Sequence, residues 1–248
     1  MNRLRMALDR RETYVTLSRI FHGTLPKDLT NLICSWVFDA SVLKPVPLLP
    51  LTRGIRLLIE GMKLDISVST GGIAFINSLL LALLEDLTPK FLMIACHGRT
   101  RTITSREVQN TMGMLNTTSL CREIWRDGTR AVTIWNAQMA ERGDSADDET
   151  PPTKIQKPLR RKRFLPVTKL ETSKVERAIR WYMKQEEPDA RLGKGGIIYA
   201  TSVLDTVAKK LLTEAVKYSV DNIICTESLI KTLQYDYDLK KLFHELFI

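Results

Sequence analysis

Residues 102–109 have the sequence TITSREVQ, which predicts a short strand that ends where a helix begins. The β-branched residues 102–104 favour an extended backbone. Thr104 and Glu107 have the spacing of a capping box, in which the two residues satisfy free backbone N–H groups at a helix start. A helix is therefore predicted from this point onward, directly after a basic loop at 98–101.

The residues before this stretch predict a long helix from 70 to 97. Apolar side chains recur there at steps of three or four, which indicates one buried helix face. At ~1.5 Å per residue, a helix of this length extends roughly 42 Å. Pro89 lies inside it, removes one backbone hydrogen bond and predicts a kink.

Two further helices are predicted in this first block, one near 52–62 and one at 119–140. Trp125 and Trp135 on the second of these are available for packing.

The same order of elements is predicted a second time downstream. A helix near 174–185 is followed by a loop marked by Gly193, Gly195 and Gly196. A long helix at about 198–221, a brief extended piece at 223–224 and a helix from near Thr226 complete the block. Short, long and short helices in repetition indicate an internal repeat, and the fold class is all-α.

The sequence divides into four regions of different character. An extension of unknown role (1–50) precedes the first helical block (51–140), and a polar and basic linker (141–165) precedes the second block (166–248). Such a linker is usually solvated. Its cluster of cations has two functional alternatives, a nuclear-import signal or a DNA-contacting arm. The cluster consists of Arg160, Arg161, Lys162 and Arg163.

Composition favours some partners and excludes others. The chain has 37 basic and 28 acidic residues and a net charge of +9, which suits nucleic acid or an anionic membrane. The apolar run at 73–84 is too short to span a bilayer, and the arginines near the start are not followed by the apolar core of a secretory signal. We expect no membrane contact.

No chemistry-bearing motif occurs in the sequence. Its four cysteines and three histidines lack metal-ligand spacing, so we predict buried, reduced thiols and no metal site. A glycine-rich phosphate loop, a nucleophile elbow and a zinc-protease motif are all absent. We predict a protein without catalytic residues, cofactors or a small-molecule substrate.

Several motifs resemble core histones. TITSREVQ at 102–109 and GTRAVT at 128–133 resemble histone 2B, whereas RLGKGGIIY at 191–199 and DYDLKKL at 236–242 resemble histone 2A. The chain as a whole resembles the histone 2B–2A doublets of giant viruses of the Marseillevirus group. The resemblance implies two histone folds in one chain, paired as an intramolecular handshake dimer.

The resemblance also implies a function. Such a doublet binds double-stranded DNA without reading its sequence and compacts a viral genome into nucleosome-like particles. Its partner would be a histone 4–3 type doublet or separate histones 3 and 4. It would be found in the virion, and in the host nucleus or a cytoplasmic viral factory during infection. The alternative is a non-packaging histone-fold module, such as a transcription or replication subunit or a variant that recruits partners.

The resemblance assigns DNA-binding residues to the loops and helix starts. In the first block they are Ser69, Thr70, Arg99, Arg101 and Thr102, and in the second block Arg177, Arg180, Arg191 and Lys194. Two departures from the family are evident. Ile223 stands where the second block should have a loop arginine, and Thr100 stands at the usual place of the first block's inserted arginine.

An acidic patch that anchors arginines of partner proteins is implied only in part. Four carboxylates match it: Asp127, Asp205, Asp236 and Asp238. Lys210, Thr213 and Ser119 replace acids of the family pattern, which predicts weak binding of arginine-anchored partners.

Overall fold

The computed structural model describes residues 51–63, 66–114, 118–143 and 167–246, without the side chains of 141–143 and 244–246. These residues belong to one compact unit, 49–248. Their helices are α1 (Thr52–Met62), α2 (Thr70–His97), α3 (Ser105–Met114), α4 (Ser119–Gly143), α5 (Thr172–Glu186), α6 (Lys194–Ala215), α7 (Thr226–Tyr235) and α8 (Tyr237–Leu246). Their strands are β1 (Ser67–Val68), β2 (Thr102–Ile103), β3 (Arg191–Leu192) and β4 (Ile223–Ile224), and a 3-10 turn covers Val216–Tyr218.

The all-α prediction is confirmed, because 79% of the described residues are helical. The order short, long, short occurs in both halves, as α1–α2–α3 and α5–α6–α7. The predicted long helix at 70–97 is confirmed in α2, which continues through Pro89. The kink at this proline stays a prediction.

The boundaries predicted for the second long helix were wrong. We expected it at about 198–221, but α6 covers Lys194–Ala215. Gly195 and Gly196 therefore lie in its first turn and not in a loop. A Cβ on Gly196 would lie 2.8 Å from the carbonyl oxygen of Ile103, so glycine at this position permits close packing of α6 against β2. At the other end, α6 passes into the 3-10 turn Val216–Tyr218, and the extended backbone of Ser219 ends the helical run before Asp221.

Two parallel strand pairs connect the two halves. β1 pairs with β4, with Ser67 opposite Ile223. β2 pairs with β3, with Thr102 opposite Arg191. Since β1 and β2 flank α2 while β3 and β4 flank α6, each long helix is joined at both ends to the loops of the other half.

α6 is the central helix of the core. Every residue from 196 to 208 is buried, and α6 packs against α1, α3, α4, α5 and α7. The largest fully buried side chains are Tyr199 on α6 and Phe91 on α2. A helix that is buried on all sides belongs to the core of a domain and not to its surface. The two halves therefore share one hydrophobic core.

Gly128 marks the closest approach of α4 to α6. A Cβ at this position would lie 2.5 Å from two ring carbons of Tyr199, and that ring is 1% exposed. We expect Gly128→Ala to lower the free energy of unfolding by about 1–2 kcal/mol, because overpacking a buried contact outweighs alanine's higher helix propensity. Urea denaturation measures the change.

Gly113→Ala provides the matched control for this substitution. Gly113 also lies in a helix, but nothing lies within 4 Å of its added Cβ. The same substitution should therefore raise the free energy of unfolding by up to about 1 kcal/mol. Equal effects at both positions would contradict the tight α4–α6 contact.

Two local predictions were wrong. Trp125 is 52% exposed and does not fill the core, whereas Trp135 is half-buried. Cys96 is exposed, although a buried thiol was expected, while Cys121 is buried and Cys225 is half-buried. Cys34 lies outside the described residues.

None of the helices in the described ranges combines the length and the apolar composition that a membrane span requires.

Candidate nucleic-acid interface

Four predicted DNA-binding cations meet at one strand pair, which we call the β2–β3 end (98–104 and 189–194). The N–H of Arg191 donates to the carbonyl oxygen of Arg101 at 2.6 Å, and the N–H of Gly193 donates to that of Ile103 at 2.9 Å. The side chains of Arg99, Arg101, Arg191 and Lys194 are all exposed. Residues from both halves therefore form one cationic surface.

Arg99 has an uncommon backbone conformation. Its φ is 55°, in the left-handed region, where its N–H donates to the carbonyl oxygen of Cys96 at 2.9 Å and ends α2. A non-glycine residue in this region costs about 1 kcal/mol. Glycine would avoid that cost, but it would remove the guanidinium from the tip of the loop. Such a strained cation in an exposed loop favours a binding role.

Carboxylates partly balance the charge of this surface. Arg101 lies 3.6 Å from Asp189, and both side chains are mostly exposed. Glu176 lies 2.9 Å from Arg180 and 3.9 Å from Lys194. Pairs as exposed as these contribute roughly 0–1 kcal/mol, so a polyanion can replace these partners.

The start of α3 adds backbone N–H groups to the same end. Glu107 accepts hydrogen bonds from the amide of Thr104 at 2.7 Å and from its hydroxyl, which confirms the predicted capping box. Burial alone would raise the pKa of Glu107, but these hydrogen bonds hold that pKa below its ordinary value. Arg106, in the first turn, is exposed. The sequence prediction omitted it, although its position after a basic loop was a usable signal.

The other strand pair, which we call the β1–β4 end (66–70 and 219–225), has a different character. Ser69 caps α2 by accepting a hydrogen bond from the amide of Gly72 at 3.0 Å, and Thr70 is exposed. These 12 positions include no lysine or arginine but do include Asp221. Ile223 is 42% exposed at the place where the resemblance required an arginine. The two ends therefore differ in charge.

The remaining predicted residues are distributed as follows. Thr102 is half-buried opposite Arg191, while Arg177 and Arg180 are exposed on α5. The cluster at 160–163 lies outside the described residues.

Asp205 does not belong to a surface patch, so this assignment was wrong. Its side chain is 4% exposed, and its two oxygens accept hydrogen bonds from the amides of Lys169 at 2.7 Å and Leu170 at 2.9 Å. Burial raises the pKa of Asp205, and the two amides only partly offset that rise. This carboxylate fastens the segment before α5 onto α6.

The other three carboxylates of the predicted patch are engaged by neighbours. Asp127 accepts from the Thr206 hydroxyl at 3.2 Å and lies 3.3 Å from Arg126. Asp236 lies 3.4 Å from Lys210. Asp238 accepts from the hydroxyl of Ser119. Lys210 and Ser119, which stand where the family pattern has acids, therefore bind two of the carboxylates that are present, Asp236 and Asp238.

No protein-family model and no curated protein matches this chain. Among the described residues, no group of three histidine, cysteine, aspartate or glutamate side chains could hold a metal ion.

Proposed function

We propose that this chain is a histone doublet, with two histone folds paired in an intramolecular handshake, that binds duplex DNA without sequence preference. The observation that carries the proposal is the reciprocal strand pairing. β2 of the first half lies beside β3 of the second, and β1 lies beside β4. The loop before the long helix of each half thereby lies next to the loop after the long helix of the other half, which supports the handshake pairing that the resemblance implies.

The β2–β3 end supplies the chemistry for binding phosphates. Arg99, Arg101, Arg191 and Lys194 are exposed there, and the N-termini of α3 and α6 add a partial positive charge. Cations and helix N-termini bind phosphates of either strand irrespective of base. We propose that a duplex follows this end and is bent around the protein.

In this proposal, many copies package a viral genome as nucleosome-like particles in the virion. During infection, the protein would be found in the host nucleus or in a cytoplasmic viral factory. A histone 4–3 type doublet, or separate histones 3 and 4, would complete the particle. Joining both halves in one chain raises the effective concentration of each for the other to roughly millimolar.

The experiment is a salt titration of DNA affinity. The chain should bind two unrelated 30-base-pair duplexes with equal affinity, and log affinity should fall linearly with log salt. Four neutralised phosphates correspond to a slope of about −3.6. A tight, salt-insensitive preference for one duplex would contradict the proposal.

One set of observations favours a second candidate, a non-packaging histone-fold module. The β1–β4 end has no cation among its 12 positions, and the carboxylates of the expected acidic patch are buried or paired. A transcription or replication subunit, or a partner-recruiting variant, needs fewer DNA contacts than a packaging protein. Counting copies per genome in purified virions separates the two, because packaging needs many and a regulator needs few.

A further inference from the structure

The outer face of α4 presents a row of arginines. Arg122, Arg126 and Arg130 follow each other at steps of four residues and are all exposed. Four residues of a helix rise about 6 Å, so their Cβ atoms form a stripe roughly 12 Å long. The opposite face of α4 packs on α6. This helix contributes no residue to the β2–β3 end or the β1–β4 end.

Little negative charge balances this stripe. Glu123 is the one exposed carboxylate of α4 between Ser119 and Ala140. Arg126 lies 3.3 Å from Asp127, but its side chain remains 72% exposed. No ion pair within the described residues involves Arg122 or Arg130. The stripe is therefore complementary to an anion.

Apolar side chains flank the arginines. Trp125 is 52% exposed on one side of the stripe, and Ile134 is 38% exposed on the other. Together with Thr129, Thr133 and the last two arginines of the row, they line a shallow groove of about 390 Å³. Tryptophan and arginine are among the residue types most enriched in binding hot spots. A DNA duplex has no protruding aromatic or aliphatic side chain to place in such a groove, whereas a peptide does.

We propose that this face of α4 binds an acidic peptide segment of a partner protein, with an aromatic or aliphatic side chain seated between Trp125 and Ile134. The peptide's carboxylates pair with Arg122, Arg126 and Arg130, and arginine forks bind carboxylates in a bidentate manner. The proposal goes beyond DNA binding and does not depend on it.

The test uses two fluorescein-labelled 16-residue peptides and anisotropy measurements on the full chain. Both peptides are rich in Asp and Glu, and one has a central Phe-Leu pair where the other has Ser-Ser. The Phe-Leu peptide should bind more tightly. Arg122→Glu with Arg130→Glu should weaken its binding about tenfold or more, because like charges replace complementary ones. Equal affinity of this variant and the parent chain would overturn the proposal.

Trp125→Ala tests the apolar part of the site. This substitution should lower the affinity for the Phe-Leu peptide about fivefold and leave the affinity for the Ser-Ser peptide unchanged. The matched charge control is Lys184→Glu with Lys240→Glu, two exposed lysines outside α4, which should change affinity less than about twofold. Equal losses in this control would show non-specific attraction and overturn the proposal.

Two other occupants of the face give different results. If α4 binds DNA, Arg122→Glu with Arg130→Glu lowers duplex affinity as strongly as peptide affinity. If a second copy of the chain covers this face of α4, the chain sediments as a dimer and Trp125→Ala makes it a monomer. Either result overturns the proposal. If the parent chain does not bind DNA but binds the Phe-Leu peptide in a way that depends on Trp125, only the proposed DNA function is contradicted.

Discussion

Replacing Arg99, Arg101 and Arg191 together by alanine should weaken duplex DNA binding on the order of 100-fold near 100 mM salt. These three exposed side chains belong to both halves and converge on the β2–β3 end. Each one that neutralises a phosphate contributes about 0.9 to the salt slope. The slope should therefore become shallower by about 2.7, which a fluorescence anisotropy titration at several salt concentrations measures.

Two comparisons make this result specific. Replacing the exposed Lys217, Lys231 and Lys240 by alanine gives the same net charge and should change affinity only a few-fold. Ile223→Arg at the β1–β4 end restores the missing loop cation and should steepen the slope by about 1. If the control triple variant loses as much affinity as the arginine variant, net charge and not the β2–β3 end binds the DNA.

Asp205→Ala should lower the free energy of unfolding by about 2–4 kcal/mol, because two backbone amides lose their acceptor. The amide of Leu170 is buried and that of Lys169 is partly buried, so water replaces the carboxylate poorly. Asp189→Ala is the control. Asp189 is 80% exposed beside Arg101, and its loss should change stability by less than about 1 kcal/mol. Urea denaturation compares the two.

The pH dependence of Asp205→Asn gives a second test of the buried carboxylate. Burial raises the pKa of Asp205 in the folded state, so the native chain binds its proton at a higher pH than the unfolded chain does. This group therefore adds stability as pH falls from above the native pKa toward the unfolded pKa. The asparagine variant has no such proton, and the stability gap between the two chains should widen on acidification. A surface aspartate would show no widening.

Short sequence patterns predicted the elements that depend mainly on interactions between residues close together in the chain. The capping box at Thr104 and Glu107 needs only four residues, and the structure contains its hydrogen bond. Apolar periodicity likewise placed α2 correctly. Glycine was misleading at 195 and 196, because the same residue type permits either a turn or a close contact. The contact with Ile103 is about 90 positions distant in the chain and leaves no local pattern.

The candidate site was predictable to the extent that the resemblance to histones assigns residues to loops. Arg99, Arg101, Arg191 and Lys194 were named from that resemblance, and the structure brings them to one end. The role of Asp205 was not predictable, since aspartate on a helix occurs on surfaces and at buried hydrogen bonds alike. Only the position of the amides of Lys169 and Leu170 distinguishes these cases.

By itself, the sequence determined the order and lengths of most helices and the charges of the loops between them. Periodicity reports that a helix face is buried, because burial favours apolar residues at that spacing, but it does not report which element covers the face. The tertiary structure decided that α6 lies at the centre, that β2 meets β3, and that Trp125 and three arginines of α4 face outward. These outcomes depend on contacts between residues far apart in the chain, and such contacts are formed by packing of the whole molecule.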